Sequence, residues 1–286
     1  MIITKLIGGL GNQMFQYAAG RRLAVVNNTQ LKLDITGYDH QVGITRREYM
    51  LHIFNIEGQF VKKKEINAFT KSAPFLSRFF THSATSYIKE KHFHFDSVIL
   101  QVSDNTYLEG YWASEKYFKD ISDVIRKDFV LKSQPDKKNK DLLKRISACH
   151  SISVHIRRND YVHDKKTHDF HGVCELDYYK RAISLIFKRT AKPHFFIFSD
   201  DPKWCEANLQ LGYPTDYVTH NLGKKDYEDL RLMSACKHHI IANSSFSWWG
   251  AWLNRNPEKV VIAPKRWFTD TFINTIDIVP KRWVRL

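Results

Sequence analysis

The chain has 286 residues, 43% of them apolar and 14% aromatic, which suffices for one large or two ordinary packed domains and excludes a wholly disordered polypeptide. Its 44 lysines and arginines against 30 acidic residues leave a net charge of +14, a surplus that suits nucleic acid, an anionic membrane face or a phosphorylated substrate. The basic clusters at 62–64, 137–140 and 281–285 are scattered, so most of this charge reads as a solvated surface.

The chain opens with a β-rich run at residues 2–7, too short for a signal-peptide core, and continues into the turn Gly8-Gly9-Leu10-Gly11-Asn12-Gln13. Phe15, Ala18, Ala19, Leu23 and Val26 then recur at helical spacing, Asn27-Asn28 stops the helix, and Leu31-Lys32-Leu33-Asp34 alternates as a strand. Such a strand–glycine turn–helix start belongs to doubly wound α/β domains. Residues 37–130 mix aromatic, basic and short helical stretches without a readable topology. The lysine-rich stretch 133–145 reads as a linker, running into a helix, between a first domain, 1–132, and a second, 146–286.

In the second half the pattern is clearer. Apolar runs at 152–156, 194–198, 217–219, 239–242 and 259–263 alternate with helical stretches at 178–188, 202–211, 226–236 and 246–253, which predicts a second parallel, doubly wound sheet. No apolar run approaches the ~20 residues of a membrane span, so a cytoplasmic location is expected, with a peripheral contact to an anionic membrane left open by the basic and aromatic surface. Four separated cysteines, Cys149, Cys174, Cys205 and Cys236, form no Cys-x-x-Cys pair, which argues against a zinc knuckle and suits a reducing compartment.

Ligands of open α/β sheets bind beyond the carboxyl ends of the strands, and three polar clusters fall there. The first is His155-Ile156-Arg157-Arg158-Asn159-Asp160. Guanidinium groups grip phosphate oxygens in a bidentate fork, so two arginines at a strand end suit a diphosphate, although a surface pair bridged to Asp160 accounts for them equally well. The second is Ser199-Asp200-Asp201-Pro202, where one aspartate is expected to cap a helix and the other to bind a ribose or base edge. The third is Asn243-Ser244-Ser245-Phe246-Ser247-Trp248-Trp249-Gly250, whose hydroxyls and amides at a helix start could hold a phosphate, while at least one tryptophan is expected to pack in the core.

Absences matter as well. No Asp-x-Asp occurs to hold a divalent ion on a diphosphate, so the arginines are expected to supply that charge and no metal or other cofactor is expected. There is no Gly-x-x-x-x-Gly-Lys-Ser/Thr loop. The turn at Gly8–Gly11 lacks the third glycine of a dinucleotide fingerprint, and Asn12 and Gln13 read as hydrogen-bonding groups facing an interdomain cleft.

These residues resemble the α-1,2-fucosyltransferases of glycosyltransferase family 11. The resemblance is carried by Gly8 to Ala18, by the HxRRxD motif at 155–160, by Gly110-Tyr111-Trp112 and Tyr117-Phe118, and by Asn243 to Gly250. It implies a GT-B-like α/β fold, two Rossmann-like domains facing a cleft, and inverting transfer of L-fucose from GDP-fucose to the 2-hydroxyl of a galactose-terminated glycan. Carried over by position, Arg157 and Arg158 would contact the diphosphate, with Arg158 on the β-phosphate. Asp160 would position the donor or the arginines, Asp200 or Asp201 would serve the guanosine, and Asn243, Ser244, Ser245 and Phe246 would complete the pocket. Asn12, Gln13, Tyr111 and Trp112 would lie on the acceptor side. Asp160 and His155 are the candidate bases by proximity in sequence.

Competing readings are a different fucosyl linkage or a related deoxysugar donor, a polyanion-binding protein, and an inactive galactoside-binding relative. The intact arginine pair weighs against the last. No RNA-binding aromatic motif or helix-turn-helix signal supports nucleic acid as a partner.

Overall fold

A computed structural model describes residues 1–39, 41, 45–70 and 85–286. The chain divides into two units, Met1–Lys132 with Asn274–Pro280, and Ser133–Ile273 with Lys281–Leu286.

The first unit begins with β1 (Ile2–Lys5), α1 (Leu10–Val26) and β2 (Leu31–Asp34). It continues through β3 (Gln59–Phe60), α2 (Lys63–Thr70), β4 (Ser86–Lys89), β5 (Thr106–Glu109) and α3 (Ser122–Asp128). The five strands are parallel in the order β3-β2-β1-β5-β4. Ile2 and Ile3 are both fully buried, as a central parallel strand covered on both faces requires. At Gly20 an added Cβ would stand 3.0 Å from Cβ of Thr4, so the missing side chain is what lets α1 approach the strand. At the far end of α1, Asp128 accepts from Tyr17 Oη at 2.8 Å and Arg21 Nε at 3.0 Å and so ties α3 to the helix. The late segment 274–280 completes this unit: Lys116 Nζ pairs with Asp277 at 2.5 Å, and Ser114 Oγ donates to the Asp277 carbonyl at 2.7 Å.

The second unit runs α4 (Lys137–Ala148), β6 (His150–Ile156), α5 (Asn159–His163), α6 (Lys165–His171), α7 (Leu176–Phe187), β7 (Pro193–Ser199) and α8 (Pro202–Asn208). It continues with β8 (Thr215–Val218), α9 (Tyr227–Ala235), β9 (His238–Ile240), α10 (Ser245–Leu253), β10 (Val261–Ala263) and β11 (Val284–Arg285). Its six parallel strands lie in the order β11-β10-β9-β6-β7-β8. Chain order therefore runs outward from β6 in one direction and from β9 in the other, and the carboxyl ends of those two neighbours form the topological switch point where such folds bind ligands. Ile152, Val154, Ile156, Phe195 and Ile197 pack with Tyr178, Tyr179, Ala182, Ile183 and Ile186 of α7.

The stretch expected to link the domains, 133–145, belongs to the second unit, and from Lys137 onward it is the helix α4. Asp136 caps α4 by accepting from Asn139 N at 3.0 Å, and α4 buries Asn139, Leu142 and Ile146 in the second unit. The lysines on its open face make the start of this amphipathic helix read as a polar spacer. A sixth strand, β11, was also unseen in the sequence. Trp248 and Trp249 are both fully buried, so both pack in the core. Among the described residues, no helix is long and apolar enough to cross a membrane.

Candidate functional site

β6 ends at Ile156, and the chain then turns through Arg157 and Arg158 into α5. The turn is held from β7, whose neighbouring end is in register with it: Ile156 stands beside Ser199. Asp200, just beyond β7, accepts from the main-chain N–H of Arg158 at 2.9 Å through Oδ1, and its Oδ2 pairs with Arg157 Nη1 at 2.9 Å. Arg157 Nη2 donates to Asp160 Oδ1 at 2.5 Å, one helical turn later in sequence. Arg157 is thus gripped between two carboxylates, and its guanidinium also faces the Tyr161 ring at 5.5 Å.

Arg158 is held in another way. Its guanidinium lies over the indole of Trp204 at 3.7 Å, and its Nε approaches Asp201 Oδ2 only at 3.5 Å. The Nε itself has no hydrogen-bond partner among the described residues. Asp201 is the helix cap, accepting from Trp204 N at 3.2 Å at the start of α8. The two aspartates that the sequence leaves ambiguous therefore divide in the structure: Asp201 caps and Asp200 holds the arginine turn.

From β9, Asn243 faces inward and knits loops together. Its Nδ2 donates to the carbonyls of His171 at 2.8 Å and Trp267 at 3.3 Å, and its Oδ1 accepts from Cys174 Sγ at 3.4 Å. Its carbonyl receives the Tyr161 hydroxyl at 3.3 Å. Asn243 thus shapes the site by tying these loops together. Ser244 is buried at the N-terminus of α10 without making a side-chain cap, while Ser245 and Phe246 are half-buried at the same end.

His155 is 4% exposed, with its ring 5.8 Å from that of Phe246. Burial pushes its pKa down to about 3, and the charge of Arg157 adds to the effect. An imidazole so reluctant to take a proton is a poor base near neutral pH, which weighs against its candidacy as the base. Asp160 is committed to Arg157, so its geometry is that of a residue holding a guanidinium.

In the first unit, Gln13 differs from expectation. It is fully buried, donating through Nε2 to the carbonyls of Gly8 at 3.0 Å and Glu48 at 2.8 Å and accepting from Met50 N at 2.8 Å. Both amide hydrogens and one of the two lone pairs of its oxygen are thus engaged by the loop beyond β1. Trp112 is likewise core, 1% exposed and edge-on to Tyr117 at 5.5 Å. Glu90 at the end of β4 accepts from the main-chain N–H of Tyr111 at 2.6 Å and of Trp112 at 3.0 Å, fixing the left-handed turn in which Trp112 has φ 54°. Asn12 and Tyr111 stay half-buried near the carboxyl ends of β1 and β5.

The sequence profile of glycosyl transferase family 11 matches residues 1–286. The chain belongs to glycosyl transferase family 11. It is 36% identical over 295 residues to an alpha-1,2-colitosyltransferase of Escherichia coli, covering 100% of this chain and 99% of that protein. It is 34% identical over 314 residues to the O-antigen biosynthesis glycosyltransferase WbnK of Escherichia coli, covering 98% and 99%. Among solved structures, a mutant of Arabidopsis thaliana FUT1 in complex with GDP aligns with 98% of this chain and 74% of that one at a TM-score of 0.53 and 10% identity, a likeness of fold in the GT-B class.

For this family 11 chain, the second unit brings His155, Arg157, Arg158, Asp160, Asp200, Asp201 and Asn243 to neighbouring strand ends. Sequence reasoning missed Trp204 and Tyr161, the aromatic supports of the two arginines. Tyr161 directly follows Asp160 and Trp204 lies three positions after Asp201, and that nearness of an aromatic residue to each cluster was the available signal. Among the described residues, no group of three or more His, Cys, Asp or Glu side chains is gathered to hold a metal ion.

Proposed function

We propose that this family 11 glycosyltransferase transfers L-fucose from GDP-β-L-fucose to the 2-hydroxyl of a terminal β-galactoside, with inversion and without a metal ion, in the synthesis of a surface glycan. The observation that carries the reading is the contrast between the two arginines at the switch point. Arg157 is neutralised by two carboxylates, whereas among the described residues the N–H edge of Arg158 makes only the long approach to Asp201. That edge suits the β-phosphate of a departing nucleoside diphosphate.

In the proposed reaction the bond from fucose C1 to the β-phosphate oxygen breaks and its electron pair leaves with GDP. Positive charge develops on the sugar ring and negative charge on the phosphate, and Arg158 stabilises the latter. The galactose 2-oxygen forms the new bond to C1 from the opposite face and releases its proton to solvent or a weak base. Removing one such oxyanion-stabilising group typically slows turnover by about 10²–10³-fold.

The similarity to an alpha-1,2-colitosyltransferase supports a second reading with the same chemistry, because colitose is fucose without its 3-hydroxyl. The test is to incubate the protein with lactose and either GDP-fucose or the corresponding colitose donor, with and without EDTA. EDTA-resistant 2′-fucosyllactose and stoichiometric GDP are expected. Product from the colitose donor alone would move the assignment to the second reading, and loss of product in EDTA would overturn metal independence. Transfer from neither donor, without GDP binding, would refute both.

A further inference from the structure

We infer that Trp204 is a positioning residue that preorganises Arg158 for a nucleoside diphosphate; this rests on the donor reading above. Among the described residues, a guanidinium at a strand end is held in one of two ways here. Arg157 is held by its edge, with Nη1 and Nη2 directed at Asp200 and Asp160. Arg158 is held by its face, 3.7 Å above the indole. Face contact uses the quadrupole of the ring and leaves the in-plane N–H fork for an oxyanion.

The support is rigid for identifiable reasons. Trp204 sits in the first turn of α8, which begins with Pro202 and is capped by Asp201. Its other contacts lie against the core of the second unit, so the indole is a half-buried platform with one face given to Arg158. The Arg158 backbone is fixed independently by Asp200, which accepts its N–H at 2.9 Å. Main chain and side-chain plane are therefore set by separate contacts before any ligand arrives. Asp201 Oδ2, 3.5 Å from Nε, is close enough to bias the side chain and too far to make a good hydrogen bond that would have to be broken.

A structural role for Trp204 in α8 and a role exercised through Arg158 make different predictions in a double-mutant cycle. GDP affinity is measured by calorimetry for the wild-type chain, Trp204→Leu, Trp204→Phe, Arg158→Ala and the Trp204→Leu/Arg158→Ala double variant. Thermal melting is recorded in parallel to establish folding. Loss of the face contact is expected to weaken GDP binding about twofold to fivefold in Trp204→Leu. Trp204→Phe, which keeps an aromatic face, is expected to recover most of it. In the Arg158→Ala background the leucine substitution is expected to have no further effect.

An equal loss in both backgrounds would overturn the inference, as would unchanged affinity in folded Trp204→Leu. Failure of the wild-type chain to bind GDP would instead remove the donor reading, and the inference with it.

Discussion

The two arginines are expected to fail in different assays. In Arg157→Ala, the carboxylates of Asp160 and Asp200 lose the cation that stands 2.5 and 2.9 Å away, and these side chains are only 11% and 18% exposed. Breaking a buried ion pair by removing one partner costs about 3–5 kcal/mol, and this partial exposure reduces the figure to about 2–3 kcal/mol. For a unit of this size, about 2–4 °C of melting temperature is lost per kcal/mol, giving a fall of about 4–12 °C. In Arg158→Ala, the lost contacts are a stack on an indole and one long ion pair, together worth about 1 kcal/mol or less. Its melting temperature should move by no more than about 4 °C. Turnover should behave oppositely, falling by about 10²–10³-fold in Arg158→Ala when GDP release is followed well below either melting point. A wild-type melting temperature for Arg157→Ala, or wild-type turnover for Arg158→Ala, would refute this division of labour.

Two further outcomes concern pH. The pKa of His155, about 3 in the folded chain against an ordinary 6.5, means that the unfolded chain takes the proton first as pH falls. The stability this neutral imidazole contributes is complete above pH 6.5 and declines toward pH 3, so urea midpoints of His155→Gln should fall less steeply over that range; an unchanged slope would count against it. Asp229 is pushed up to about 7 by burial, with Asp226 and Glu228 reinforcing the shift and the Asn221 amide opposing it. Folding then favours the protonated form, and stability contributed below pH 3.8 is lost as pH rises through 7. Asp229→Asn should raise the urea midpoint at pH 8 and barely change it at pH 4, and equal effects at both would show that the carboxyl does not titrate there.

Five of the six strands of the second unit were legible because buried parallel strands are continuous apolar runs, as in 152–156 and 194–198. In the first unit β1 and β2 were legible, but β3 and β4 were hidden for the converse reason. β4 alternates half-buried and exposed residues, and β3 is two exposed residues, so neither carries a hydrophobic signature. The positions of the polar clusters at strand ends followed from topology, but the division of roles did not. Asp200 and Asp201 are adjacent and chemically identical, and only the direction of each side chain makes one a cap and the other a clamp. Gln13 shows the same limit, since a glutamine at a helix start reads as a ligand group until its three backbone partners are in view. Trp204 lies 46 positions from the arginine it supports, and no local spacing rule connects them.

The path of the chain bears on how the protein comes into being. Residues 274–280 belong to the first unit, yet the whole sheet of the second unit except β11 precedes them. During vectorial synthesis, Lys116 and Ser114 must wait for Asp277 until β6 to β10 have been made. The two units therefore mature in an overlapping order, and a fragment cut at Lys132 lacks the strap that finishes it.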